Sequence, residues 1–264
     1  MSMRIAVCVA AVPNPDKVKW DRFRQLLDVQ DAEPVLNPAD RNALELAAQL
    51  SKTAGSTFDV YCAGAGASAA LREAAAFGAQ RLVALDDAAL ADADAAGIAC
   101  ALAAAIGKSG GADVVLCGAA TSSYGSGGVP GYLSSFLNAG LRADAVAIES
   151  NGDAVSVINI AGSSLVRSNA AMPLVVAAAP YGVSVRTVSP ILLMRAAKKP
   201  IETFGLADVA DSRQGATAGL PSTGAIDGPL ESNRKRRLNE SVEGPDAAAR
   251  AITLVSALRE RALV

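Results

Sequence analysis

The sequence predicts a three-layer α/β/α fold on a mostly parallel sheet, with an antiparallel excursion and an extended C-terminal arm. Three observations lead there. Apolar strand-like runs alternate with helical patterns up to about residue 140, the spacing of parallel βαβ units with helices on both faces. Those runs are apolar nearly throughout, as strands covered on both faces are. Beyond residue 142 the texture shifts to closely spaced short strand patterns around an Asn151-Gly152 pair, a strong hairpin turn signal.

The elements follow in order. Residues 4–9 read as a buried strand. Residues 37–51 read as a helix, with Asn37 able to cap it, Pro38 suited to its first turn, and Leu44, Ala47 and Ala48 at helical spacing. A strand at 59–63 and a helix at 68–77 come next, the helix stopped by Gly78. A third strand is expected at 81–85, a helix at 92–106, a fourth strand at 113–117 and a further helix from 130 to 137. Short strands at 145–149, 154–160 and 165–167 form the antiparallel excursion, and 174–179 returns to the main sheet. From about 205 to 233 the chain is rich in Gly, Ser, Thr, Asp and Pro, so it reads as a linker or arm. The last helix is expected at 245–262, with Ala248, Ile252, Val255 and Leu258 on one side. The chain thus divides into an α/β domain over 1–204 and an arm with a terminal helix over 205–264.

The bulk numbers exclude several kinds of chemistry. With 264 residues and 51% hydrophobic composition, the chain can bury one sizeable core. A net charge of −2 gives no strong electrostatic pull toward nucleic acid or membrane. The chain has no histidine, which excludes a His-based triad and a His-ligated metal. Cys8, Cys62, Cys100 and Cys117 are not spaced as CxxC, and three lie in or at the end of apolar runs. They read as small core residues in a reducing compartment. The opening apolar run is too short for a secretory signal, and the Ala-rich 88–106 region reads as a buried helix, so a soluble, cytoplasmic protein is expected.

Any chemistry is expected at the loops after the strands. The segment 118–130 follows an apolar strand and precedes a helix. Its glycines permit close backbone approach, its helix-start N–H groups favour an anion, and Ser122, Ser123 and Ser126 add hydroxyls. It is neither a Walker loop nor a GxGxxG fingerprint, and alone it reads equally well as an ordinary βα loop. The loops at 10–16 and 63–66 sit at the same edge, where open α/β sheets bind ligands. Three such loops together favour a nucleotide site. No acid–base pair or activated nucleophile stands out. The clusters Lys198-Lys199 and 234–237 read as solvated surface or a face for an acidic partner.

The order of segments resembles electron transfer flavoprotein β subunits from residue 3 to about 210. The motifs are Val12-Pro13-Asn14-Pro15 after the first strand, and Asn37-Pro38-Ala39-Asp40 followed by Ala43-Leu44-Glu45. Next come the glycine loop Gly64–Gly66 and Leu71-Arg72-Glu73-Ala74 ahead of Gly78-Ala79. The string from Met194 to Glu202, followed by Leu206-Ala207-Asp208, is the most specific.

The resemblance implies an adenine nucleotide hydrolase-like fold and an electron carrier without catalytic residues. It implies a heterodimer with an electron transfer flavoprotein α subunit, FAD shared with that subunit, and AMP or a second FAD in the β site. Flavoprotein dehydrogenases would be the donors, and a membrane quinone oxidoreductase or other acceptor would receive the electrons. Carried over by motif, Ala10, Asn37, Cys62, Gly64, Gly118, Ser122, Ser123, Ser126, Gly127, Gly128 and Val129 would line the nucleotide site. Pro190, Ile191, Leu192, Met194 and Arg195 would dock on partners. The phosphate loop, with Ser123, Tyr124, Gly125, Gly128 and Val129, departs from the family's Asp-rich version, and of the Asn-Glu-Pro-Arg string only Arg186 is retained. Two alternatives stand beside this. One is an electron-bifurcating member with FAD in the β site, suggested by the long tail and Val129. The other is a non-redox nucleotide-binding module like the universal stress proteins.

Overall fold

Why these residues fold as they do is clearest at the centre of the sheet. The computed structural model describes residues 3–23, 26–91, 93–123, 125–152, 154–212 and 241–261. Five strands are buried along their whole length or nearly so: β1 (Ile5–Val9), β6 (Phe58–Ala63), β7 (Leu82–Leu85), β8 (Val114–Gly118) and β12 (Leu174–Ala178). Alternate side chains on each strand feed opposite faces. Ile5, Val7 and Val9 join the core beneath α1 (Pro38–Ala54) and α2 (Ala67–Ala74), whereas Ala6 and Cys8 join the core on the other side. That second face is covered by α3 (Ala95–Lys108) and packs against α4 (Val129–Phe136). The three-layer α/β/α expectation is therefore met.

Nine strands form the main sheet. The first five in spatial order are β11 (Ser164–Ala171), β10 (Ala154–Ala161), β9 (Gly140–Asn151), β12 and β8. The order continues through β1, β6, β7 and β13 (Glu202–Phe204). All pairs from β9 to β13 are parallel, while β9–β10 and β10–β11 are antiparallel. From β1 the chain steps to β6 and β7 on one side, then crosses back to β8 on the other. The strand order thus reverses between β1 and β8, and the crevice at their carboxyl ends is where such sheets hold ligands.

Several elements differ from the sequence reading. β9 and β11 run well beyond the expected 145–149 and 165–167: β9 starts parallel to β12 and only then turns antiparallel to β10, and β11 pairs with β10 along its whole length. Two small antiparallel pairs were not anticipated: β2 (Ala11–Pro13) with β5 (Pro34–Leu36), and β3 (Lys19–Asp21) with β4 (Leu26–Asp28). The same holds for β13 and for the short helix α5 (Pro190–Ala196). Asn37 does precede α1, but its side chain makes no cap hydrogen bond; it is used elsewhere. The helix expected from residue 92 begins at Ala95, because the Asp94 carboxylate accepts from the Ala96 and Gly97 N–H groups. Asp92 lies outside the described residues.

The chain forms two compact units, Met1–Asp227 and Gly228–Val264. In the second, α6 (Ala247–Glu260) starts at an Asp246 cap and has no buried residue. Most of the expected linker, and the basic cluster at 234–237, lie outside the described residues. Among the described residues, no helix is long and apolar enough to cross a membrane.

Candidate functional site

The site is built from the first turn of α1. Asn37 is 1% exposed, and its side chain spans two directions. Its Oδ1 accepts from the Ser122 N–H at 3.1 Å, and its Nδ2 donates to the Ala120 carbonyl at 3.1 Å. The Asn37 N–H itself donates to the Ala10 carbonyl at 3.0 Å. One turn in, the Asp40 carboxylate accepts from the Ala10 N–H at 2.7 Å and from the Gly118 N–H at 3.0 Å. The Asn37-Pro38-Ala39-Asp40 motif is thus a clip. It fastens the loop after β1 to the loop after β8 where the strand order reverses.

Asp40 is fully buried, and burial raises its pKa to about 7, against the hydrogen bonds from Ala10, Asn37 and Gly118 that lower it. Three thiols share its surroundings. Burial pushes Cys62 up to about 12, with the Asp40 charge adding to it, and it holds Cys8 and Cys117 well above the usual thiol range. Those thiols stay protonated at neutral pH. All four cysteines are buried, as expected.

The loop after β6 meets the same edge. A side chain on Gly66 would place its Cβ 2.6 Å from Pro34 Cβ and 3.4 Å from Ala11 Cβ, at a φ of +79°, so only glycine fits. The three rims therefore converge, as the sequence suggests. Ser122, Ser123, Ser126 and Gly127 are exposed on the rim, and Ala10, Gly64, Gly128 and Val129 are half-buried. Asn37, Cys62 and Gly118 lie buried beneath it. Tyr124 is outside the described residues.

The donor set suits an anion. Neither α2 nor α4 has a side-chain cap, although on α2 the Ala67 and Ala69 N–H groups donate to the Gly64 and Gly66 carbonyls. On α4 the first-turn N–H groups belong to Val129 and Gly131, since Pro130 has none. The serine hydroxyls add donors, and the Asp40 carboxylate beneath is covered. Among the described residues, no cluster could hold a metal ion. The missed residue is Asp40. It stands in a motif the sequence displays, but nothing there says its carboxylate faces inward.

Residues 26–209 match the electron transfer flavoprotein domain. The chain belongs to the electron transfer flavoprotein family. Its resemblance to the family's β subunits is borne out by similar proteins. It is 38% identical over 117 residues to the electron transfer flavoprotein subunit beta of Thermoanaerobacterium thermosaccharolyticum, covering 44% of this chain and 45% of that protein. It is 37% identical over 118 residues to the caffeyl-CoA reductase-Etf complex subunit CarD of Acetobacterium woodii, with 44% and 45% covered. The electron transfer flavoprotein subunit beta of Clostridium acetobutylicum is 36% identical over 107 residues, with 40% and 41% covered. The matched stretch is thus less than half the length of each of these relatives.

Away from the rim, α5 carries Pro190, Ile191, Leu192, Met194 and Arg195. Ala196 is buried, and the Ala197 carbonyl just beyond accepts from Arg72. Ile191 and Met194 stay 65% and 69% exposed, so an apolar surface faces outward. The segment leading to it is clasped to α1. Arg186 Nε donates to Glu45 Oε2 at 2.6 Å, and its Nη2 donates to Oε1 at 2.8 Å.

Proposed function

We propose that this chain is the β subunit of a heterodimeric electron transfer flavoprotein. In this reading an α subunit provides most of the pocket for a redox FAD, and this chain holds AMP on the rim formed by the β1, β6 and β8 loops. Ala10, Gly64 and the residues from Ser122 to Val129 contact the nucleotide; Asn37, Cys62 and Gly118 act from beneath. The exposed face of α5 meets flavoprotein dehydrogenases as donors, and electrons pass on to a quinone oxidoreductase or other acceptor. The α/β body, whose buried core runs to Val209, does this work in the cytoplasm.

The single observation that carries the reading is the clip at the switch point. It presents serine hydroxyls together with helix N-termini that have no side-chain cap, which suits a site that holds a nucleotide while a flavin does the redox chemistry. Family membership supports the same reading. Co-expression with a matching α subunit is expected to give a yellow 1:1 complex releasing one FAD and one AMP on denaturation. A colourless, unpaired chain would refute it. Release of two FAD and no AMP would instead favour the bifurcating alternative, to which Val129 and the similarity to a reductase–Etf complex subunit lend support.

A further inference from the structure

We propose that Asp40 is the positioning residue of the nucleotide rim: its ionised carboxylate ties the β1 loop to the β8 loop, and nucleotide holding depends on that tie. The inference rests on the reading that this rim holds an adenine nucleotide.

The geometry demands two acceptors at one point. The Ala10 N–H, just after β1, and the Gly118 N–H, at the end of β8, converge on the two oxygens of one side chain, at 2.7 and 3.0 Å. A carboxylate accepts at both oxygens, whereas a carboxylic acid gives up one of them to its own O–H. An asparagine has only one oxygen, and its NH2 would confront the second N–H. Losing one acceptor leaves a buried amide unsatisfied and loosens one rim against the other; among the described residues, the Asn37 bonds alone then join the two beyond the strand ends. Because β1 and β8 flank the reversal of strand order, that loosening opens the crevice itself.

The groups facing Asp40 leave it as the titrating member. Cys8 approaches from β1, Cys62 from β6 and Cys117 from β8, all three held protonated by burial. From its own helix it meets the Asn37 amide, and no cation is described against it. Burial places its titration near pH 7, so its charge changes within the ordinary working range.

The test compares the full wild-type chain with Asp40→Asn by AMP titration between about pH 5.5 and 8.5, alongside amide hydrogen exchange at Ala10 and Gly118. At the alkaline end the variant is expected to bind AMP at least about tenfold more weakly. As pH falls below about 7 the gap should close, because the wild type loses its charge. The AMP phosphate titrates near pH 6 by itself, but identically in both chains, so it cancels in the ratio. Both amides should exchange faster in the variant. Equal affinity, tighter binding by the variant, or a gap that stays constant with pH overturns the inference, the last because it signals structural damage alone.

Should the variant fail to fold, the wild type decides. Its Ala10 and Gly118 amide resonances must shift together through one midpoint, and independent behaviour overturns the tie. The two readings fail separately. A wild-type chain that binds neither AMP nor FAD overturns the nucleotide reading, and the inference with it. Binding by both chains alike overturns the inference only.

Discussion

Gly118 has no side chain, yet the space a side chain would take is already occupied. A Cβ there would lie 2.3 Å from Asp40 Oδ1, 3.0 Å from the Ala39 carbonyl carbon and 3.1 Å from Ala39 Cβ. Neither neighbour can yield, since one is the clip itself and the other is helix backbone. Gly118→Ala is therefore expected to cost about 1–3 kcal/mol, the range for forcing extra volume into packed surroundings. Urea unfolding should show a lower midpoint at an unchanged slope, and an unchanged midpoint would refute the account. At this scale the sequence was legible in kind but not in use. Gly118 and Asn37 stand where a ligand-contacting loop would have them, yet much of their bonding is with the fold. Small and polar residues at a strand end fit a ligand or a neighbouring loop equally well, and only the convergence of chains tells which. The cysteines were easier, because apolar neighbours on both sides leave a thiol nowhere to point but the core.

Elements were legible where burial imposed a long pattern. β1, β6, β7, β8 and β12 sit within a residue or two of expectation, because a strand covered on both faces must be apolar along its length. The three-residue strands β2 to β5 and β13 carry no such pattern, and α5 exposes its apolar residues and so lacks the usual helical stripe. What fixes α5 is partly remote: the Glu45–Arg186 clasp holds the segment before it against α1. Glu45 is nearly covered at 7% side-chain exposure, while Arg186 keeps 34%. Glu45→Gln should cost about 1–3 kcal/mol, below the figure for a fully buried pair because solvent screens the guanidinium. The arginine holds the Glu45 carboxyl below the usual range. Its contribution is thus present above the unfolded-state pKa and lost as pH falls through the lower folded value. Stability curves of the two chains should converge in acid, and hydrogen exchange over 183–189 should rise in the variant at neutral pH. A gap that persists unchanged into acid would rule this out.

At the scale of the whole molecule, the question is what the body requires in order to fold. The buried apolar residues run from Ile5 to Val209, with both faces of the sheet covered by helices that lie before residue 210. In the second unit α6 buries nothing, and Ile252, Leu254 and Val255 stay exposed along it. A helix of 14 residues with no buried residue, lying in a separate unit from the core, contributes little to the body's stability, since most helical stability comes from packing. Its apolar side chains gain only by meeting another surface. A chain ending at Asp227 is therefore expected to fold, with its melting temperature within about 2 °C of the full chain. Under the proposed function the truncation should tell in the complex, with the α subunit bound more weakly and FAD lost more readily on dilution. Size-exclusion chromatography with the flavin absorbance as readout separates these effects. A truncated chain that melts much lower alone would mean the second unit completes the body's core, and one that holds α and FAD as well as the full chain would leave the exposed helix without a role in assembly.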